Sequence, residues 1–415
     1  MAVEATLNAI NSSGIGAEKI GEIYFCTNSS PYIENHASNI IKKVLGLPSE
    51  VEVIELKGSP RAGVGGLKAV MDSINARMVQ NVLVIASDCR PAEMGSEVEM
   101  TFGAGAAAFI FGEGDTIVDI EEIYTYSTMI LDRWRHPNDR HVRSYDYRFT
   151  REYGYINHLK AAVEGLFKKN GASIDKYQHV VLQEPDGRIP REISKIFGIG
   201  KEQRNSSLVG LLGDTGASSI FLGISNIVDN AKPGDTILAA SYGSGTSDAI
   251  SLKVTDNVDK RRGKTRKLKS YIEDKQYIDY LKYMKCMGMI QQAGEPEKLG
   301  LTPVSPFLLR SYDELYNFQG LKCSDCGYIN FPPSLRVLCI RCGCKDLETV
   351  KLSKRGKIHT YCINYYLPPP IEAPLPMIFG DLEDGFRYQA IGTEMKVEDI
   401  KIDMPVELIL RLLIV

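Results

Sequence analysis

Four cysteines constrain this chain more than any other feature. Cys323-x2-Cys326 is followed after twelve residues by Cys339-x2-Cys342. A CxxC turn lets two thiolates face one ion, and two such turns complete a tetrahedral shell. Gly327 and Gly343 each follow the second cysteine of a pair, where the backbone often needs a positive φ. The pattern predicts a structural metal site with zinc (Zn2+) as the expected ion, and a single iron as the alternative for the same ligand set. All four positions of the ion are filled by protein, which excludes direct catalysis by it. Cys344 reads as a free thiol beside the site, and Cys26, Cys89, Cys286 and Cys362 are scattered. The N-terminus, Met1-Ala2-Val3-Glu4-Ala5, lacks a basic-then-apolar leader. The expected compartment is therefore cytoplasmic, where clustered cysteines bind metal rather than form disulfides.

At 415 residues the chain is long enough for two or three domains. A formal net charge of −3 argues against a dedicated nucleic-acid binder. No run of eighteen apolar residues occurs, so no membrane span is expected. Residues 1–256 alternate short apolar runs with helical patterns. The runs include Ile23-Tyr24-Phe25, Val82-Leu83-Val84-Ile85, Val180-Val181-Leu182 and Ile237-Leu238-Ala239. Helical patterns cover 39–45, 65–77 and 156–170. This is an α/β pattern with a buried sheet. Residues 257–320 read as a linker and helical segment, basic at Lys260-Arg261-Arg262 and amphipathic from Tyr271 to Met289. The cysteine module spans 321–348. Residues 349–415 look all-β, with a hairpin around Asp384-Gly385, and suggest a small barrel.

Two stretches resemble known families. Cys323-Ser324-Asp325-Cys326-Gly327, Asn330-Phe331-Pro332-Pro333 and Cys339-Ile340-Arg341-Cys342-Gly343 look like the zinc ribbon of DUF35 proteins, which is joined to an OB-fold. Ala231 to Leu238, Ser241-Tyr242-Gly243-Ser244-Gly245 and Phe102 to Phe109 are similar to archaeal-type hydroxymethylglutaryl-CoA synthases. The resemblance implies a thiolase-like five-layer αβαβα domain, N-terminally shortened here, followed by a zinc ribbon and an all-β OB-fold barrel. It also implies a CoA thioester as substrate and self-association through the thiolase-type dimer interface.

That family acts through a cysteine nucleophile, a histidine and an acid/base glutamate. The matching motifs carry Pro60 in Pro60-Arg61-Ala62-Gly63, Gln183 in Gln183-Glu184-Pro185, and Asn28 before Ser29-Ser30-Pro31-Tyr32. The family's Gly-Asn-Thr reads Gly213-Asp214-Thr215. None of Asn28, Pro60 and Gln183 can do the family's chemistry. This leads to the expectation of a non-catalytic subunit, assembled with an active thiolase and helping to form its CoA site. The alternatives are a free-standing synthase with a relocated nucleophile, for which Ser59 and Cys89 are the candidates, and a scaffold that binds no acyl-CoA. Lys354, Arg355 and Lys357 are the candidate CoA-binding cations, with a solvated strand entry as their other reading. The region from Asp132 to Phe149, with His136, His141 and His158 in or beside it, holds either an anionic phosphate or a surface contact.

Overall fold

A computed structural model describes residues 1–204, 207–290, 311–367 and 373–411. The chain divides into two units, Met1–Gln276 and Tyr277–Val415.

In the first unit α1 (Ala2–Ser13) leads into β1 (Glu22–Cys26), α2 (Ser38–Leu45), β2 (Glu52–Leu56), α3 (Ala62–Asn75) and β3 (Asn81–Cys89). β4 (Ala104–Gly112) and β5 (Val118–Ser127) follow, then a short ribbon of β6 (Arg133–Trp134) and β7 (Arg143–Ser144). A single turn, α4 (Tyr147–Phe149), and a π-helical stretch over Thr150–Ile156 run into α5 (Asn157–Asn170). After β8 (His179–Leu182) come α6 (Ile189–Phe197), α7 (Val209–Leu212) and α8 (Ser219–Val228). The unit closes with β9 (Thr236–Gly243), β10 (Thr246–Val254), α9 (Val258–Arg261) and α10 (Leu268–Glu273).

The strands form two four-stranded sheets, ordered β2-β1-β3-β4 and β5-β10-β9-β8. In the first, β2, β1 and β3 are parallel and β4 is antiparallel to β3. In the second, β8 and β9 are parallel, while β10 runs antiparallel to both β9 and β5. Side chains alternate across a strand, so each sheet has two faces to bury. Leu67 and Val70 of α3 and Phe221 and Ile224 of α8 fill the space between the sheets, against Val82, Val84, Ile237 and Ala239. On the outer face of the second sheet, Leu159, Val163 and Leu166 of α5 and Ile193 of α6 meet Val180, Leu238 and Ala240. On the outer face of the first, Ile41 and Leu45 of α2 meet Ile23, Phe25, Leu83 and Ile85. Helices and sheets thus alternate through the unit. Fully burying each such aliphatic side chain contributes about 1.5–3 kcal/mol.

The amphipathic pattern from Tyr271 to Met289, which suits one helix or a helix pair, forms a pair, α10 in the first unit and α11 (Tyr280–Cys286) in the second. Tyr271 of α10 reaches back to α1, accepting from Asn8 Nδ2 at 2.8 Å and donating to Glu4 Oε1 at 3.2 Å.

In the second unit a three-stranded antiparallel sheet is ordered β12-β11-β13, from β11 (Gln319–Cys323), β12 (Ile329–Asn330) and β13 (Leu347–Lys351). A four-stranded antiparallel sheet is ordered β16-β15-β14-β17, from β14 (Arg355–Asn364), β15 (Leu375–Leu382), β16 (Arg387–Ile391) and β17 (Pro405–Glu407). The expected hairpin is β15–β16. Phe318, Phe331, Phe386 and Tyr388 pack one core here, and Ile358, Ile378 and Ile400 another. The expected closing strand ran to Leu412, which lies outside the described residues; β17 covers only its start. Among the described residues no helix is long and apolar enough to cross a membrane.

Candidate functional site

The first unit gathers the three motif positions at one place, where the C-terminal ends of β1, β8 and β9 meet the start of α3. Asn28 lies just past β1. Its side-chain Nδ2 donates to the Ser59 carbonyl at 2.9 Å and to Asp88 Oδ2 at 3.0 Å. Ser59 and Pro60 form the turn into α3, with the Ser59 Oγ accepting from the Arg61 N–H at 3.3 Å. Gly243, at the end of β9, rests on this turn. A Cβ there would come within 2.3 Å of the Ser59 Oγ and 3.0 Å of the Arg61 nitrogen. Only glycine fits such an approach. Gln183 follows β8 and is fully buried; its Oε1 accepts from the Tyr242 N–H at 3.1 Å. The chain of contacts from Gln183 through Tyr242-Gly243 to Ser59 and Asn28 therefore joins all three positions.

Buried charges hold this junction, and of these Asp88 and Asp248 were not singled out in the sequence. Asp88 has no exposed surface and accepts from the Thr27 and Ser29 hydroxyls and from the backbone of Asn28 and Ala217, at 2.6–3.2 Å. Arg61 pairs with Asp248, Nε to Oδ2 at 2.6 Å and Nη2 to Oδ1 at 2.9 Å. Asp214 sits against Arg90 at 2.8 Å and Arg133 at 3.6 Å. Burial opposes the Arg90 charge, but Asp214 and Asp88 more than offset it, so its pKa lies above the ordinary value. The buried Tyr242 hydroxyl donates to Asp132 at 2.8 Å, and its pKa is raised by burial and then by Asp132.

The two cysteines at the ends of β1 and β3 differ clearly. Cys26 is sealed in the core, where burial pushes its thiol up to about 12. Cys89, at the end of β3, is exposed; its N–H donates to the Ser29 Oγ at 2.8 Å. Partial burial and the neighbouring Asp88 raise its thiol pKa. The region from Asp132 to Phe149 is mostly exposed or half-buried, whereas His158 beside it is not at the surface. It is buried, with Nε2 at 2.7 Å from the Thr128 hydroxyl and Nδ1 at 2.7 Å from the Gly154 carbonyl. Arg135 does reach the junction and donates to the Asn28 carbonyl at 2.8 Å.

In the second unit the four ligand sulfurs of Cys323, Cys326, Cys339 and Cys342 lie within 4.8 Å of one another. Cys323 and Cys342 are 3.5 Å apart and Cys326 and Cys339 are 3.6 Å apart, sulfur to sulfur. A tetrahedral zinc with ~2.3 Å bonds needs sulfurs about 3.8 Å apart, so the residues fit. Gly327 and Gly343 take φ of 67° and 77° and close the two turns. The Arg341 N–H points at the Cys339 sulfur from 3.4 Å. Cys344 stands outside the four, its sulfur taking the Asp346 N–H at 3.3 Å. Lys354, Arg355 and Lys357 lie at the entry to β14, where Arg355 approaches Glu407 at 3.6 Å.

No family model matches the chain. It is 33% identical to the hydroxymethylglutaryl-CoA synthase of Methanocaldococcus jannaschii over 293 residues, 70% of this chain and 85% of the relative. Against the synthase of Thermococcus gammatolerans the figures are 33% over 288 residues, 68% and 82%. Among solved structures, an HMG-CoA synthase complexed with CoA superposes with a TM-score of 0.61 at 19% identity, over 68% of this chain and 77% of the other. The 3-oxoacyl-[acyl-carrier-protein] synthase III of Aquifex aeolicus superposes with a TM-score of 0.56 at 20% identity, over 61% and 83%. The α/β unit is therefore thiolase-like. These matches correct the expectation of a non-catalytic subunit serving a separate thiolase. The relatives, matched over most of their length, are each named as the synthase itself, and the stand-alone alternative takes its place. The chain belongs to the hydroxymethylglutaryl-CoA synthase family.

Proposed function

We propose that this chain is a stand-alone condensing enzyme of the hydroxymethylglutaryl-CoA synthase type, acting on acyl-CoA thioesters with a relocated nucleophile. The observation that carries it is the convergence of Asn28, the Ser59-Pro60 turn and Gln183 at one junction, in a chain whose relatives are the synthases themselves. Cys89 is the nucleophile of this reading. A thiol is strongly nucleophilic in its ionised fraction and needs no adjacent base at elevated pH, unlike the Ser59 hydroxyl. Cys89 is exposed, and Ser29 and Asp88 tie it to Asn28. In the first step the Cys89 thiolate attacks the thioester carbonyl. A new C–S bond forms to the enzyme, the bond to CoA breaks, and CoA leaves as its thiolate. Because the Cys89 thiol is raised, acylation should speed up as pH rises past the ordinary thiol range. Asn28 moves no proton; its amide donors are committed to the Ser59 carbonyl and Asp88, and it braces the turn beside Cys89.

The second unit is read as a zinc ribbon over 321–348 joined to an OB-type sheet over 349–415. Cys323, Cys326, Cys339 and Cys342 would hold zinc, which supplies structural cross-linking. Lys354, Arg355 and Lys357 are proposed to take the CoA phosphates.

The test is incubation with radiolabelled acetyl-CoA followed by peptide mapping. Label on Cys89, lost in Cys89→Ala and kept in Ser59→Ala, is expected. Label that instead follows Ser59 moves the nucleophile, and no covalent label at any pH sinks the reading.

A further inference from the structure

Arg135 brings an exposed positive charge to the junction. It follows β6 and donates from Nη2 to the Asn28 carbonyl at 2.8 Å. That acceptor is neutral and engages one of the five N–H donors of a guanidinium. Among the described residues no carboxylate pairs with Arg135, whereas Arg61 is held by Asp248, and Arg90 and Arg133 are held by Asp214. The turn it meets, from Thr27 to Ile33, contains no acid. Asn28 itself stands where the family carries a glutamate. Asp88 lies beneath this turn, but donors from Thr27, Asn28, Ser29 and Ala217 saturate it, and Arg90 attracts it. The rest of the Arg135 fork can therefore meet an anion from outside the chain.

We infer that Arg135 binds a free carboxylate on the acyl chain of the substrate, so that the substrate is the CoA monothioester of a dicarboxylic acid. This rests on the acyl-CoA reading above. The position of Arg135 selects an acyl carboxylate over the phosphates of CoA. Arg135 meets Asn28, and the next residue, Ser29, accepts from the Cys89 N–H at 2.8 Å. The guanidinium thus stands about three residues' span from Cys89, on the order of 10 Å. With the thioester carbon at Cys89, the pantetheine arm separates that carbon from the phosphates. The far end of a short acyl chain, by contrast, stays near. A guanidinium meets a carboxylate through two parallel N–H···O bonds, which fixes orientation as well as charge. An acetyl group or a plain alkyl chain offers it no acceptor. Arg135 is therefore a specificity determinant and transfers no proton.

The probes are succinyl-CoA and adipyl-CoA, which bracket the chain length, each set against its own terminal carboxamide, and CoA alone. Binding is measured on the full chain in the Cys89→Ala background, so that no acyl-enzyme forms. At least one acid is expected to bind about tenfold tighter than its carboxamide, the worth of one charge-assisted pair. Arg135→Gln should erase that difference while leaving carboxamide binding unchanged. Arg135→Lys should keep part of it, since an ammonium holds the charge but not the two-point fork. The comparison of acid with carboxamide needs no Arg135 variant, so the inference stays testable if the variants do not fold. Equal binding of acid and carboxamide at both lengths overturns the Arg135 role and leaves acyl-CoA binding intact. Equal weakening of acid and carboxamide by Arg135→Gln, with CoA alone unaffected, marks a brace for the Asn28 turn and also overturns it. An equal loss for CoA alone assigns the cation to a phosphate and overturns it too. If no probe binds, the acyl-CoA reading itself fails and takes this inference with it.

Discussion

Arg61 and Asp248 are locked in a two-point ion pair, Nε to Oδ2 at 2.6 Å and Nη2 to Oδ1 at 2.9 Å, that ties the start of α3 to β10. The two residues are 187 positions apart and belong to different sheets' surroundings, so the pair fixes one half of the unit against the other. Asp248 is 1% exposed and also accepts from the Thr125 hydroxyl at 2.8 Å and the Ser241 hydroxyl at 3.1 Å. Removing one partner of such a pair leaves a buried charge uncompensated, at a cost of about 3–5 kcal/mol. Arg61→Met should therefore lower unfolding free energy by about 3 kcal/mol, since Arg61 is itself partly exposed. Adding Asp248→Val should recover part of the loss, not all, because the two hydroxyls then lack an acceptor. Urea denaturation of both variants checks this; a double variant worse than Arg61→Met contradicts the account.

Asp88 organises the Asn28 turn. Four residues donate to its carboxylate, three of them consecutive from Thr27 to Ser29. Asp88→Asn replaces one acceptor oxygen with an NH2 group that faces donors. Hydrogen bonds to a charged group contribute about 1.5–3 kcal/mol each, so a loss of about 2 kcal/mol or more is expected. Amide exchange at Asn28 and Ser29 should accelerate beyond that of the β3 core. Unchanged exchange there means the turn is held by something else.

The legible parts of the fold were those that bury simple surfaces. β1, β3, β8 and β9 are apolar runs because both faces of each sheet are covered. β5 and β10 were not legible. β10 carries buried Ser247, Asp248 and Ser251, whose polar atoms find partners only in the folded state: Ser247 donates to the Ser241 carbonyl and Ser251 meets the Tyr177 hydroxyl. β5 shows Asp119, Glu121 and Glu122 on a half-exposed sheet edge. The site followed the same logic. Asn28, Pro60 and Gln183 stand in recognisable motifs, so their meeting could be anticipated. Asp88 after a strand reads as an ordinary turn residue, and its burial depends on donors from residues 27–29 and 217. The amphipathic stretch near 271–289 fits one helix or a pair, and hydrophobic periodicity alone does not report the break that makes it a pair. The chain leaves the helix after Glu273, and Asp279 caps a second one by accepting from the Lys282 N–H at 2.8 Å.

Glu121 offers a pH test. The hydrogen bond from Lys176 at 2.8 Å is the main cause that holds its carboxyl below the ordinary value of 4.5; burial opposes this, and a Ser251 hydrogen bond adds to it. A depressed carboxyl contributes stability above its unfolded pKa, and that stability is lost as pH falls through its folded value. Both side chains are about a third exposed, so screening limits the pair to no more than about 0.5 kcal/mol. Lys176→Met should cost that much at pH 7 and nothing once Glu121 is protonated in both states. Denaturant titrations at pH 7 and in acid separate the two. A cost that persists in acid assigns the effect to lost packing instead.

The four-thiolate site makes the last prediction. Its sulfurs already stand at distances suited to one tetrahedral ion, with both turns closed by positive-φ glycines. The purified chain should carry about one zinc, and cobalt exchanged into it should show the thiolate charge-transfer and tetrahedral ligand-field bands of a four-sulfur site. Cys323→Ser should lose the metal and unfold β11 to β13, because site formation and local folding are one equilibrium contributing on the order of 10 kcal/mol. Cys344→Ser should retain the full complement, since its sulfur lies outside the set. Hydrogen exchange on the chelated protein should rise in the second unit and leave the β3 and β9 amides protected, because the cores around those strands contain no ligand cysteine. Zinc lost equally from Cys344→Ser and Cys323→Ser contradicts the assignment of the four ligands, and iron in the purified chain replaces zinc as the resident ion.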